Sequence, residues 1–449
     1  MEKATKHRDG SKDNPMLRRA LIAARARNKP KEQFNNLLHH LTYELIEECL
    51  NKIPKSSAVG IDGVTVEQAK NNLSWILPPL LKQIHQGKYQ APAVRRVYIP
   101  KANGKQRPIG VPEVVDRAIQ AAMAQILNEI YEQDFQKCSF GFRHNLGCHH
   151  ALATVSKLLT RWKMNYVLEV DIRDFFGCLS HKWLRQFLGI RIKDIRIIKL
   201  IDAWLKAGVV EGNKWQESEG GVPQGGSISP LLANIYLHYV LDLWFEKKMK
   251  LQYHKQAHLI RFCDDFVVLF KRKEELEIFK SLLKTRLHQF ELEVAEEKTH
   301  VTELVARERR GTQERRHMSF LGFKIFRTVS TDMGKHVIVF RTEGSRFTRA
   351  KAQMKDQLWH MVHFDMKTQA KRINSILRGH NNYYGLPGNS KKISGFWRET
   401  IAYWRQCLSR RSQNGRKNLE EMKKVVEEYK IIKPCLKVTY KTLEKYARL

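Results

Sequence analysis

Leu259-Ile-Arg-Phe-Cys-Asp-Asp-Phe-Val-Val-Leu-Phe270 sets two adjacent carboxylates, Asp264 and Asp265, between two apolar arms. The run from His258 to Phe270 reads as β-structure with acids at its middle. Burying an unpaired carboxylate is costly, and a neighbouring like charge makes it worse. Acids in such a place imply a cation to neutralise them. On a flat strand adjacent side chains point to opposite faces, so a hairpin turn is the predicted home of the pair. A second apolar strand, Tyr166-Val-Leu-Glu-Val-Asp171-Ile172, ends on a third carboxylate. From a hairpin tip, one acid of the pair can meet Asp171 while the other lies nearby. Carboxylate oxygens without a His or Cys cluster favour Mg²⁺ over zinc or iron. Taken alone, Asp264-Asp265 is equally well a polar turn, because turns favour Asp.

Outward from these strands the pattern alternates. Apolar residues recur at helical spacing from Phe34 to Ile53, and Pro54 ends them. Arg95 to Pro112 alternates and breaks at Asn103-Gly104, as a hairpin does. Helices are predicted over Asp116–Asp134, Ile195–Leu205, Leu231–Lys247 and Glu274–Phe290, and a strand over Phe320–Phe326. Short strands interleaved with helices define an α+β chain rather than a helical bundle. After Arg341 the pattern turns helical and basic, with 25 Lys+Arg against 9 Asp+Glu in residues 341–449. The predicted division is a basic N-terminal extension and helix (1–54), a central α+β region (55–340) and a helical basic region (341–449).

Across all 449 residues, 80 Lys+Arg face 46 Asp+Glu, a net charge of +34. Such an excess repels itself in a compact chain, so a polyanionic partner is its natural explanation. The charge runs through most of the chain rather than one amphipathic segment, which favours nucleic acid over a membrane surface. Residues 1–14 are polar and carry no apolar core of a secretory signal. No apolar run approaches a membrane span. Seven cysteines are scattered without a CxxC pair, which predicts reduced thiols in a cytoplasmic protein and no structural zinc.

Three further stretches complete an ordered set with the acids. They are Ile99-Pro-Lys-Ala-Asn-Gly-Lys-Gln-Arg-Pro-Ile-Gly-Val-Pro112, Gly221-Val-Pro-Gln-Gly-Gly-Ser-Ile-Ser-Pro230, and Ile376-Leu-Arg-Gly-His-Asn-Asn-Tyr-Tyr384. With Glu297-Lys-Thr299 and Phe320-Leu-Gly-Phe323 between them, the order resembles that of reverse transcriptases encoded by group II introns, over roughly residues 55 to 415. The resemblance implies a right-hand-like polymerase, with fingers and palm followed by a helical thumb and maturase region. It implies RNA-directed DNA synthesis by two Mg²⁺ ions, for which Mn²⁺ can substitute, held by Asp171, Asp264, Asp265 and the backbone of Ile172. It makes Lys101 and Arg107 a clamp on a triphosphate, and charges on a hairpin suit that task. Gln224 and Gly225 fall beside the incoming nucleotide, with Lys298 near the active site. Phe176 becomes the ring that excludes a ribose 2′-hydroxyl. Arg372, Arg378, Tyr383, Tyr384 and Arg405 fall to template or structured RNA, by phosphate contact and stacking. At helical spacing, however, Trp397 and Trp404 read as packing residues. The implied partners are an RNA template and primer, dNTPs and an intron or other structured RNA, with no membrane.

The chain departs from the family pattern in three places. Phe262-Cys263 stands before the paired acids where Tyr-Ala is usual, and Gly177 follows Phe176 where Asp is common. After Tyr403 only Cys407 and Cys435 remain and no His, so the His- and Cys-liganded nuclease of many relatives is expected to be absent. The resemblance leaves two other roles open: a domesticated enzyme of phage defence or DNA repair, and an idle RNA-binding maturase. Three intact acids count against the last.

Overall fold

β-structure enters the chain at Val94, and the strands are β1 (Val94–Pro100), β2 (Gln106–Val111), β3 (Tyr166–Val170), β4 (Val209–Glu211), β5 (Lys214–Gln216), β6 (Ala257–Phe262), β7 (Asp265–Phe270), β8 (His300–Glu303), β9 (Met318–Phe320), β10 (Phe323–Val329) and β11 (His336–Thr342). The computed structural model describes residues 15–100, 106–212, 214–216, 220–223, 225–254, 256–304, 317–329, 336–411 and 417–449. Helices fill most of the remainder, so the fold is α+β. Contacts divide the chain into two interleaved units. The first comprises residues 1–147, 170–264 and 277–298; the second comprises 148–169, 265–276 and 299–449. These units run across a linear partition at residues 54 and 340, because tertiary packing joins segments far apart in sequence.

In the first unit the strands order as β2-β1-β4-β5. β1 and β2 form the predicted antiparallel hairpin, with Ile99 opposite Arg107, and β4 lies parallel to β1. Beside this sheet the helix Val114–Asp134 buries Ile119, Met123, Ile126 and Ile130 completely, the face its spacing defines. Against it lies the helix Pro15–Asn28, which buries Ile22 and Ala26 and donates from Arg27 Nε to Gln133 Oε1 at 3.0 Å. That basic segment thus has a packing role.

Two helices differ from expectation. Between Phe34 and Ile53 the α-helix is only Tyr43–Asn51, preceded by a 3₁₀ turn at Leu38–His40. Thr42 restarts the chain as an N-cap, its hydroxyl accepting from Leu45 N, while Phe34 bridges Ile192. The apolar run after Ser229 is α-helical to Leu237 and then widens into π turns at His238–Asp242 and Phe245–Met249. The first wide turn contains the fully buried Asp242, and such insertions often accompany a side chain with a special task.

In the second unit β7, β3 and β8 lie side by side in that order, β3 antiparallel to β8. β9, β10 and β11 make a separate antiparallel sheet. The strand expected over Phe320–Phe326 is broken by a turn, because Leu321 (φ 50) and Gly322 (φ 78) are both left-handed. Beyond Gly344 the chain is helical, as its pattern indicates. Helices Gly344–His360, Met366–Tyr384 and Ser390–Ser409 close on Met354, Leu358, Ile373, Leu377, Phe396 and Trp404. Trp404 is fully buried and donates to Gln369 Oε1 at 2.7 Å, and Trp397 packs against the same core.

Candidate active site

Asp171 follows β3 directly, and the segment 293–295 holds its backbone. Ala295 N donates to Asp171 O, and Arg173 N donates to Glu293 O, both at 2.8 Å. These bonds flank the antiparallel bridge between Ile172 and Val294. A residue in such a non-hydrogen-bonded pair turns its own N–H and C=O away from that partner. The Ile172 carbonyl therefore faces away from 293–295. The Asp171 carboxylate meets Lys298, with Nζ 2.6 Å from Oδ2, and both side chains are partly exposed. Lys298 stands at the end of the 3₁₀ turn Glu296–Lys298, so the lysine is delivered by the strand segment that holds Asp171.

The paired acids occupy the turn predicted for them. β6 stops at Phe262, Cys263 takes φ 61, and β7 begins at Asp265. Asp264 is half-buried and Asp265 exposed. Cys263 is buried, and burial, reinforced by the Asp264 charge, pushes its thiol up to about 12. A thiol that keeps its proton is a weaker donor than a carboxylate oxygen.

Under this turn lies a buried polar cluster. Arg261 Nη2 meets Asp242 Oδ2 at 2.6 Å, and its Nη1 donates to Cys263 O and to Asn234 Oδ1, both at 2.9 Å. Asn234 Nδ2 in turn donates to Gly141 O at 2.7 Å. Sequence reasoning passed over this cluster. Its signal was present: an Arg inside an apolar strand and an Asp inside an apolar helix, each too costly to bury alone.

Phe176 borders a cavity of about 300 Å³ with Arg96, Pro108, Gly110, Asp174 and Gly221–Pro223. Its carbonyl accepts from Val222 N at 2.8 Å, which ties the Gly221–Pro223 loop to the ring's own backbone. The Asp174 carboxylate folds over Gly177, its Cγ 2.8 Å from where a Cβ at 177 would stand. A side chain at 177 would have to displace this carboxylate. Gly225 has φ 130, and a Cβ there would press on Gly110 O and lie 2.8 Å from Ile109 Cγ2. Its freedom is required for the loop to lie against β2. Arg107 is exposed on β2, whereas Lys101 and Gln224 lie outside the described residues.

The second unit carries the residues assigned to RNA. Arg372 donates to Gln357 Oε1 at 2.8 Å, Arg378 is exposed and Arg405 half-buried. The Tyr383 ring stacks on Phe323 at 5.8 Å and its hydroxyl donates to Leu321 O at 3.0 Å; Tyr384 also packs on Phe323. Both tyrosines brace the Leu321-Gly322 turn.

Among the described residues, no group of three or more His, Cys, Asp or Glu side chains converges to hold a metal. Asp171 has an ammonium as its counter-charge instead. The chemistry of the donors still fits Mg²⁺: accessible carboxylates, a backbone carbonyl turned outward and no competing thiolate.

Acids at strand ends, a hairpin carrying Arg107 and a glycine loop packed upon it make up the candidate site. Residues 99–325 match the reverse transcriptase (RNA-dependent DNA polymerase) family, and the chain belongs to it. It is 29% identical to the group II intron-encoded protein LtrA of Lactococcus lactis subsp. cremoris, over 75% of this chain and 66% of that protein. It is 34% identical to protein YkfC of Escherichia coli K12, over 51% of this chain and 70% of that protein. The putative COX1/OXI3 intron 2 protein of Saccharomyces cerevisiae is 32% identical over 44% of this chain and 22% of its own length. Among the described residues no helix is long and apolar enough to cross a membrane.

Proposed function

We propose that this chain is an RNA-directed DNA polymerase of group II intron type, extending a primer with dNTPs by two-metal transfer, and that it also binds structured RNA as a maturase. The observation that carries the polymerase reading is Asp171, fixed by its backbone at the end of a strand and paired through its carboxylate with Lys298. Asp171, Asp264, Asp265 and the Ile172 carbonyl would hold Mg²⁺, and two such ions would supply activation of the primer 3′-oxygen and charge stabilisation for the departing pyrophosphate. The protein's own part is positional. The Ala295 bond keeps Asp171 in place, the Arg261 cluster keeps the Cys263 carbonyl in place, and the Gly225 loop lies against β2, the strand that carries Arg107. Phe176 borders the sugar's space, and Gln224 and Gly225 line the nucleotide. Lys298 moves from Asp171 to the charge of the nucleotide phosphates.

Replacing Asp264 with Ala removes a ligand without touching the Arg261 cluster. Extension of a primed RNA template with Mg²⁺ or Mn²⁺ should vanish while the thermal midpoint holds. Full activity in that variant sinks the polymerase reading.

For the maturase part, the support is the basic helical region from Gly344 onward, with Arg372, Arg378 and Arg405 on its helices. Since Tyr383 and Tyr384 brace a turn, the arginines carry most of the affinity there. Changing all three to Glu should weaken binding of structured RNA and flatten its salt dependence, because each lost phosphate contact releases fewer counterions. An unchanged salt slope removes this surface from the RNA-binding assignment.

A further inference from the structure

Beside the catalytic turn one residue sits where neither burial nor backbone preference favours it. Residues 138–140 run along β6: Arg261 N donates to Cys138 O at 2.8 Å, and Phe140 N donates to Arg261 O at 2.9 Å. Gly141 comes next and touches the turn itself. A Cβ on Gly141 would stand 2.5 Å from Cys263 N and 3.0 Å from Phe262 C. Phe142 then takes φ 56, a left-handed conformation that is an outlier for a bulky side chain, and its ring is 61% exposed. A buried ring would offset such strain; an exposed one does not.

The neighbours impose the conformation. On one side Asn234 Nδ2 donates to Gly141 O at 2.7 Å. On the other, the Arg143 guanidinium grips Glu132 at 2.8 Å and donates to Gln136 O and Ser139 O at 2.7 and 2.9 Å. Phe142 is thus fixed between two anchored residues, the first of them against Cys263, with its ring exposed to solvent. Strain held in place by its surroundings clusters where a ligand is met.

We propose that Phe142 is a stacking platform: its ring takes the face of a nucleobase in the nucleic-acid strand that lies against the Cys263-Asp264 turn. The proposal rests on the polymerase reading for the presence of a strand there. A base fits the site better than a protein side chain. The chain carries +34 and attracts a polyanion, and the residues that follow Phe142 (Arg143, His144, Asn145) are polar rather than a continuation of an apolar patch. Every base has a π-face, so stacking serves any sequence.

The test is equilibrium binding of a primed RNA template to the full chain by fluorescence anisotropy, without dNTP, for Phe142→Ala, Phe142→Leu, Phe142→Tyr and Phe142→Gly. The Ala and Leu variants should lose roughly 5- to 100-fold in affinity, the range one aromatic–base stack supplies, and Tyr should retain it. Leu keeps the bulk but not the planar face, so it separates stacking from simple apolar contact. Phe142→Gly should lose the same affinity while its thermal midpoint holds or rises, since glycine accepts φ 56 without strain. Wild-type affinity in the Leu or Ala variant overturns the proposal, as does a fall in the midpoint of the Gly variant, which would make the ring a folding element. Binding here needs no chemistry. An active Asp264→Ala enzyme would overturn the polymerase reading, and the Phe142 affinities would still be read separately.

Discussion

Arg261 and Asp242 face each other 2.6 Å apart with no solvent exposure on either side chain. Burial works against the Arg261 charge, but Asp242 more than offsets it and holds the guanidinium above its ordinary range. The same guanidinium donates to the carbonyl of Cys263, the residue before Asp264. An ion pair inside the first unit thereby fixes the backbone from which a proposed metal ligand projects.

Breaking such a pair from one side leaves an uncompensated buried charge. Arg261→Met or Asp242→Asn alone should destabilise by about 3–5 kcal/mol, measured by urea unfolding. The double variant Arg261→Met with Asp242→Leu should regain most of that stability, because apolar replacements remove both charges. Primer extension should stay at least about tenfold down in the double variant, since the Cys263 carbonyl has lost its donor and a small misplacement is costly. Wild-type extension rates in a stable double variant would reduce the cluster to a packing element.

A metal ion held by Asp171, as proposed, would compete with Lys298 for that carboxylate. Lys298→Ala should lower the Mg²⁺ concentration at half-maximal extension by roughly two- to fivefold, the scale of an exposed ion pair. If the lysine then serves the nucleotide phosphates, kcat should fall in the same variant. A titration with unchanged half-saturation and unchanged kcat would leave the pair as an incidental surface contact.

How far the sequence carried the fold depended on whether an element's pattern was local. The helix Val114–Asp134 and the hairpin β1–β2 were legible because their periodicity and turn chemistry lie within one segment. Asp264 was legible as a turn residue because no strand keeps two neighbouring acids on one face. The π turn at His238–Asp242 was not legible, since its apolar pattern is compatible with a plain helix and the partner of its buried Asp242, Arg261, lies on a later strand. Likewise Gly225 reads as a glycine beside the incoming nucleotide, but what its missing Cβ makes room for is Gly110 on β2. For Tyr383 and Tyr384 the sequence offers no sign of Phe323, sixty or so residues upstream, on which both rings pack.

Phe176 bounds the cavity on the side of the Gly221–Pro223 loop. Opening that wall with Phe176→Val should admit a 2′-hydroxyl. The ratio of kcat/KM for dNTP over rNTP should fall by roughly 10- to 200-fold, the discrimination that pocket size alone supplies. Side-by-side single-nucleotide kinetics decide it. An unchanged ratio would mean that Phe176 is only a core ring packed edge-to-face on Phe175, 5.3 Å away.

Glu169 lies two residues before Asp171 and is buried in the second unit. Burial pushes its carboxyl from an ordinary 4.5 up to about 7, against the lowering effect of bonds from Ser319 N at 2.8 Å and Thr302 Oγ1 at 2.9 Å. Between those two pH values the folded chain holds a proton that the unfolded chain has released. Stability from this group is therefore full below pH 4.5 and declines as pH rises toward 7, by roughly 3 kcal/mol in all. Glu169→Gln keeps the shape, can accept from Ser319 N and donate to the Thr302 hydroxyl, and does not titrate. Its thermal midpoint should match the wild type near pH 4.5 and exceed it by several degrees at pH 8, where the wild-type carboxylate is charged and buried. Melting curves for both proteins across that range give the answer. A constant difference between them at every pH would show that Glu169 keeps the same protonation folded and unfolded, and the strand leading to Asp171 would then carry no buried proton.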